Sequence, residues 1–153
     1  MTDAHAQTRR LTETVFYPDH SPRKASAEYR KTHDHLINVL DEPCWVCGVR
    51  KSTLADPAQN TRKSTQLETH HWNVEWALAN GLSLEKLLAD FPAMGAADDE
   101  HLRAWLDSEG NMLVLCDVCH RHPLYGIHLI TYPAWVSQRW EAPGWDLATG
   151  PSS

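Results

Sequence analysis

Apolar residues occur along this chain in short bursts, and their spacing changes from one burst to the next. Over 26–40 the apolar positions Tyr29, Leu36, Ile37, Val39 and Leu40, with no Pro or Gly among them, predict a helix ending before Pro43. His33 and His35 cannot share a face of it. Residues 51–63 are polar and contain Pro57, which predicts a solvated loop. A short strand is predicted over 65–72. Residues 76–80 before Gly81 read as a helix with its C-cap, and 83–90 as a second helix opened by Ser83 and stopped by Phe91 and Pro92. The acidic stretch 98–109 places Leu102, Trp105 and Leu106 at helical spacing, the pattern of a solvated amphipathic helix. A turn at 109–111, an apolar strand over 112–115 and a helix from 117 to about 130, irregular at Pro123, complete the domain. The order strand, acidic excursion, strand, helix defines an α+β class.

Both ends of the chain are weaker in pattern. Residues 1–22 hold two prolines and one small apolar cluster, Val15, Phe16 and Tyr17, and are expected to form an arm that docks or stays mobile. The tail, 133–153, spreads Trp135, Trp140 and Trp145 among Pro133, Pro143 and Gly144. These breakers exclude one long helix, and the tryptophans are expected to pack back onto the domain. With 153 residues, the chain fits one compact domain over 23–132, an acidic helical insert at about 76–109, and the two extensions. No apolar run has membrane-spanning length and the first residues lack the apolar stretch of a secretory signal, so a cytoplasmic location without membrane insertion is expected.

Charge changes the picture less by its sum than by its distribution. The net charge of −6 weakens attraction to phosphates. Residues 1–65 nevertheless carry ten Lys/Arg against eight Asp/Glu, while 66–153 carry four against twelve. Nucleic acid would therefore lean on the N-terminal part, with Arg50, Lys51, Arg62 and Lys63 as candidate phosphate contacts.

The four cysteines form two pairs, Cys44/Cys47 and Cys116/Cys119, each with two residues between. In a reducing compartment that spacing points to metal ligation rather than disulfides, and two such pairs suit one tetrahedral zinc. A redox pair would expect a single CxxC in a different strand-helix context. A zinc with all four positions filled by protein is closed to substrate, so its expected role is structural.

Between the pairs stands Glu68-Thr69-His70-His71, and Asn111 opens the run that reaches Cys116-Asp117-Val118-Cys119-His120. Over roughly 44–130 these residues resemble the HNH, or ββα-metal, nuclease family. The resemblance implies a ββα-metal core with a CxxC…CxxC structural zinc site and added helices. It further implies His70 and His120 as ligands of a catalytic metal, His71 as general base, Asn111 as the residue fixing the base-bearing loop, and Glu68 as an orienting group. Arg121 stands where the family carries a basic residue and joins the candidates for nucleic-acid contact, and His122 is a further candidate ligand. His33, His35, His101 and His128 fit no such pattern and read as surface or core-edge histidines.

The residue types suit that chemistry. A histidine near neutral pKa can take a proton from water, and a cation beside the phosphate neutralises developing charge. Adjacent histidines on a strand point to opposite sides, so one can bind metal while the other faces water. The expected function is metal-dependent endonuclease activity on nucleic acid, DNA first, with Mg2+, Mn2+, Ni2+ or a second Zn2+ at the catalytic site, as in relatives from phages and bacteria. The competing expectation is a zinc-stabilised binding module that meets a protein partner through the acidic insert or the Trp-rich tail.

Overall fold

The computed structural model describes residues 6–8, 10, 12–141, 143–146 and 148–150. Helix α1 (Ala27–Asp34) begins where the Ser26 hydroxyl accepts from the Tyr29 N–H at 2.8 Å, and it continues as a π-helical turn, His35–Val39, that buries Leu36 and Ile37. The chain then makes a tight knuckle. The Gly48 N–H donates to the Cys44 carbonyl at 2.8 Å and the Cys44 N–H to the Val49 carbonyl at 2.7 Å. Gly48 has φ +79°, a conformation open to glycine and strained for other residues. The knuckle docks on the sheet through the Trp45 N–H, 2.9 Å from the Val114 carbonyl.

The sheet has two antiparallel strands, β1 (Leu67–His71) and β2 (Met112–Cys116), in the register Leu67↔Cys116, His70↔Leu113, His71↔Met112. Helix α4 (Asp117–Arg121) follows β2 without a linker. The strands are thus joined at one end through residues 72–111 and continue at the other into the cysteine corner. Residues 12–25 form neither helix nor strand, but they are docked: the Asp19 carbonyl accepts from Asn80 Nδ2 at 2.8 Å and the His20 ring stands edge-on to Trp76 at 4.9 Å.

The stretch between the strands builds its own small core. Trp76–Gly81 is a 3₁₀ segment rather than the expected α-helix. Helix α2 (Leu84–Asp90) starts at Ser83, and α3 (Asp99–Leu106) starts at Asp98, whose carboxylate accepts from the His101 N–H. Leu102, Trp105 and Leu106 of α3 are buried against Val74, Ala79 and Met94. The acidic face of α3 is solvated as the periodicity predicts; its apolar face closes a second cluster.

The helix expected over 117–130 ends at Arg121. His122 is extended (φ −68°, ψ 138°), the conformation favoured before proline, and Pro123 has no N–H to continue the ladder. The chain then folds back at Gly126, whose N–H donates to the His122 carbonyl at 2.7 Å; a Cβ there would meet His120 and His122 backbone atoms at 2.8 Å. Helix α5 (Tyr132–Ser137) and the 3₁₀ turn Gln138–Trp140 follow.

The main core joins the knuckle, the sheet and α5. Trp135, 0% exposed, stacks on Trp45 at 5.6 Å between ring centres and donates from Nε1 to the Cys119 carbonyl at 2.9 Å. Trp140 departs from the expected burial of the tail tryptophans, being 69% exposed and set edge-on to Trp45. Among the described residues, no helix is long and apolar enough to cross a membrane.

Truncating Trp135 removes a fully buried indole, so Trp135→Ala is expected to lower the unfolding free energy by about 3–5 kcal/mol. Trp135→Phe, which keeps most of the ring and loses the bond to Cys119, should cost about 1–2 kcal/mol beyond its packing change. Urea unfolding followed by circular dichroism measures both.

Candidate metal centres and the histidine pair

The four cysteines converge where the knuckle meets the β2–α4 corner. Their sulfurs lie within 4.8 Å of one another, and Cys47 Sγ is 3.7 Å from Cys116 Sγ. A tetrahedral zinc with Zn–S bonds of about 2.3 Å sets its sulfurs about 3.8 Å apart, so this spacing fits such an ion. The electrostatics point the same way. Hydrogen bonds from the Cys116 and Cys119 thiols push Cys44 far below the ordinary thiol range, while its neighbours Cys116, Cys44 and Cys47 push Cys119 far above it. Four thiols this close cannot all ionise without a cation among them. The cluster could hold a structural metal ion such as zinc.

A second cluster lies on the side of β1 that faces α4. Side chains alternate along a strand, so Glu68 and His70 share that side while Leu67, Thr69 and His71 share the other. His70, His120 and His128 each offer a ring nitrogen within 4.8 Å of the others. His120 Nδ1 lies 2.5 Å from Glu68 Oε2, and Arg121 Nε and Gln66 Nε2 donate to the same carboxylate at 2.9 and 2.7 Å. Since a carboxylate only accepts, His120 carries its proton on Nδ1 and turns the Nε2 lone pair inward, 3.1 Å from His128 Nε2. Burial pushes His70 down to about 3 and lowers His120 as well, so protons compete weakly for these nitrogens near neutral pH. Glu75 Oε1 stands 3.4 Å from His70 Nε2 at the rim.

The third nitrogen therefore comes from His128, which the sequence pattern sets aside, and not from His122. The His122 ring instead lies tilted against Tyr125, 5.0 Å between ring centres, and its Nδ1 accepts from the Leu124 N–H. The reversal at Pro123 and Gly126 returns His128 to His120, and a regular helix through 130 would not have done so.

His71 does not face open water, contrary to the expectation from strand alternation. It is 4% exposed, and its Nε2 lies 3.0 Å from Asp107 Oδ1 at the end of α3. Asn111, 0% exposed, holds this region together. Its Oδ1 accepts from the Asn73 and Val74 N–H groups, and its Nδ2 donates to the Val74 and Leu106 carbonyls, all at 2.9–3.0 Å. The one amide clamps the exit of β1 to the end of α3, so its role extends beyond the loop that follows His71.

The basic residues proposed for phosphate contact do not form one patch. Arg50 donates to the Asp41 carbonyl and Lys51 to Asn38 Oδ1, whereas Arg62 meets Gln138 and Glu141 and lies over the Tyr125 ring. Arg121 is engaged by Glu68. Lys63 has φ +54° and lines a cavity with Arg62, His122, Tyr125 and Trp145.

No protein-family model, curated protein or solved structure matches this chain.

The two clusters should separate by metal analysis. The zinc-loaded protein is expected to hold two ions per chain, and His128→Ala should keep only one, while His122→Ala keeps both. Cys119→Ser, or a chelator strong enough to strip the cysteine cluster, should unfold the chain; a folded, metal-free protein by circular dichroism would contradict a structural metal there.

Proposed function

We propose that this chain is a metal-dependent endonuclease of the HNH, ββα-metal type, hydrolysing phosphodiester bonds of nucleic acid, with DNA as the first substrate to test. The observation that carries the reading is an antiparallel strand pair running into a short helix, with three histidine nitrogens converging on one side of β1 and His71 on the other. Those elements and residues are the ones the HNH resemblance calls for, with His128 added.

On this reading the cysteine cluster holds zinc and stiffens the corner from which His120 projects. A divalent ion bound by His70, His120 and His128 would neutralise charge building on the phosphate and on the leaving oxygen. His71 takes a proton from the attacking water; the water oxygen bonds to phosphorus and the bond to one ester oxygen breaks. Glu68 holds His120 in the ligating tautomer, and Asn111 holds the strand exit behind His71. Because His71 is closed in, its surroundings must open before a phosphodiester reaches it.

That burial also favours a second reading, a zinc-stabilised module in which His71 and Asp107 form a structural pair and the acidic surface meets a protein partner. The net charge of −6 supports it too. Plasmid cleavage separates the two. The purified protein, assayed with Mg2+, Mn2+, Ni2+ and Zn2+, is expected to cut DNA, and His71→Ala is expected to lose about 100-fold or more of that rate with its zinc retained. Absence of cutting of both DNA and RNA by the folded, zinc-loaded protein would favour the binding module.

A further inference from the structure

Resting on the nuclease reading, we propose that Asp107 is the positioning residue of His71: its carboxylate holds the imidazole with the proton on Nε2 and leaves Nδ1 as the nitrogen that takes the proton from water. The acidic insert then has a chemical task in the site.

Asp107 is buried at the C-terminal end of α3 and has three partners from two parts of the chain: His71 Nε2 of β1 at 3.0 Å, and, from the segment before α1, the Ser26 hydroxyl at 2.6 Å and Arg23 at 4.0 Å. Burial alone would raise its carboxyl pKa, but the hydrogen bonds from His71 and Ser26, with the charge of Arg23, outweigh it and hold the group below the usual carboxylate value. Asp107 is therefore an acceptor, and the group that faces it must donate. For a neutral imidazole that places the proton on Nε2 and the lone pair on Nδ1. The geometry is fixed from behind, because Asn111 Nδ2 grips the Leu106 carbonyl while Asn111 Oδ1 grips Asn73 and Val74, just beyond His71. Bringing His71 and Asp107 together in this way requires an insert with a core of its own, and the Val74–Met94–Trp105 cluster supplies one.

The test reads the ring itself. Zinc-loaded protein labelled with ¹⁵N-histidine is examined by long-range ¹H–¹⁵N NMR, with the His71 signals identified by their loss in His71→Gln. The wild type is expected to show a protonated Nε2 and a bare Nδ1. In Asp107→Asn, whose amide can present an N–H, the Nε2 proton should be lost or shared between the two nitrogens. In the cleavage assay the same variant should lower kcat by about 100-fold with little change in KM. A bare Nε2 in the wild type, or an unchanged His71 tautomer in Asp107→Asn, would overturn the proposal. If Asp107→Asn does not fold, the wild-type spectrum decides alone. If the wild type proves inactive on every nucleic acid, the nuclease reading falls, and the NMR result still says whether Asp107 sets the His71 tautomer.

Discussion

The packing of four sulfurs at the junction of the knuckle and the β2–α4 corner is the constraint on which the rest depends. Cys116 ends β2 and caps α4, and Cys119 lies one helical turn on, so the pair fixes the angle at which a five-residue helix leaves a five-residue strand. A helix of that length has almost no stability of its own. Its orientation must come from outside, from the sulfur cluster and from Trp135, which bonds to the Cys119 carbonyl. The next residue is His120. Whatever holds the cysteines therefore also bears on where His120 meets His70 and His128.

The second organising feature is the period-2 alternation of β1, which divides adjacent residues between two environments. Glu68 and His70 meet α4, where a carboxylate sets the tautomer of His120. Thr69 and His71 meet the other side, where Thr69 joins Tyr29 and His33 of α1 and His71 meets Asp107. His120 and His71 thus each have a carboxylate behind them. Glu68 lies two residues from His70 in sequence, whereas Asp107 arrives across the sheet through a separately packed insert.

This contrast explains what could be read from the chain. The cysteine pairs and the Glu68-to-His71 string were legible because metal ligation and strand geometry demand fixed residue types at short spacings, and Ser83 and the two strands were legible from capping and periodicity. His128 was not, because its place depends on a reversal at Pro123 and Gly126 that no local period signals. Pro123 marked an irregularity, but only the contact of Gly126 with the His120 and His122 backbone shows where the chain goes next. Asp107 was hidden for a related reason: within the acidic insert, nothing local separates its buried carboxylate from the solvated ones of Asp98, Asp99, Glu100 and Glu109. The insert read as a surface for a protein partner because its charge is conspicuous in sequence and its small core is not.

Charge also bears on how an acidic protein could handle a polyanion. The cationic side chains proposed for phosphate are dispersed and mostly engaged: Arg62 with Glu141, Arg121 with Glu68, Arg50 with a backbone carbonyl. Long-range attraction from such a surface is weak, and it fades within about 10 Å at ordinary salt. A donor set of three neutral imidazoles adds no negative charge to an ion it holds, unlike a carboxylate cage, so the ion's charge would be offset only by Glu68, already shared with Arg121, and by Glu75 at the rim. On the nuclease reading, attraction to phosphate is then local to the histidine cluster. Substrate engagement would depend on occupancy of that cluster more than on a basic groove, which is the arrangement that a net charge of −6 leaves open.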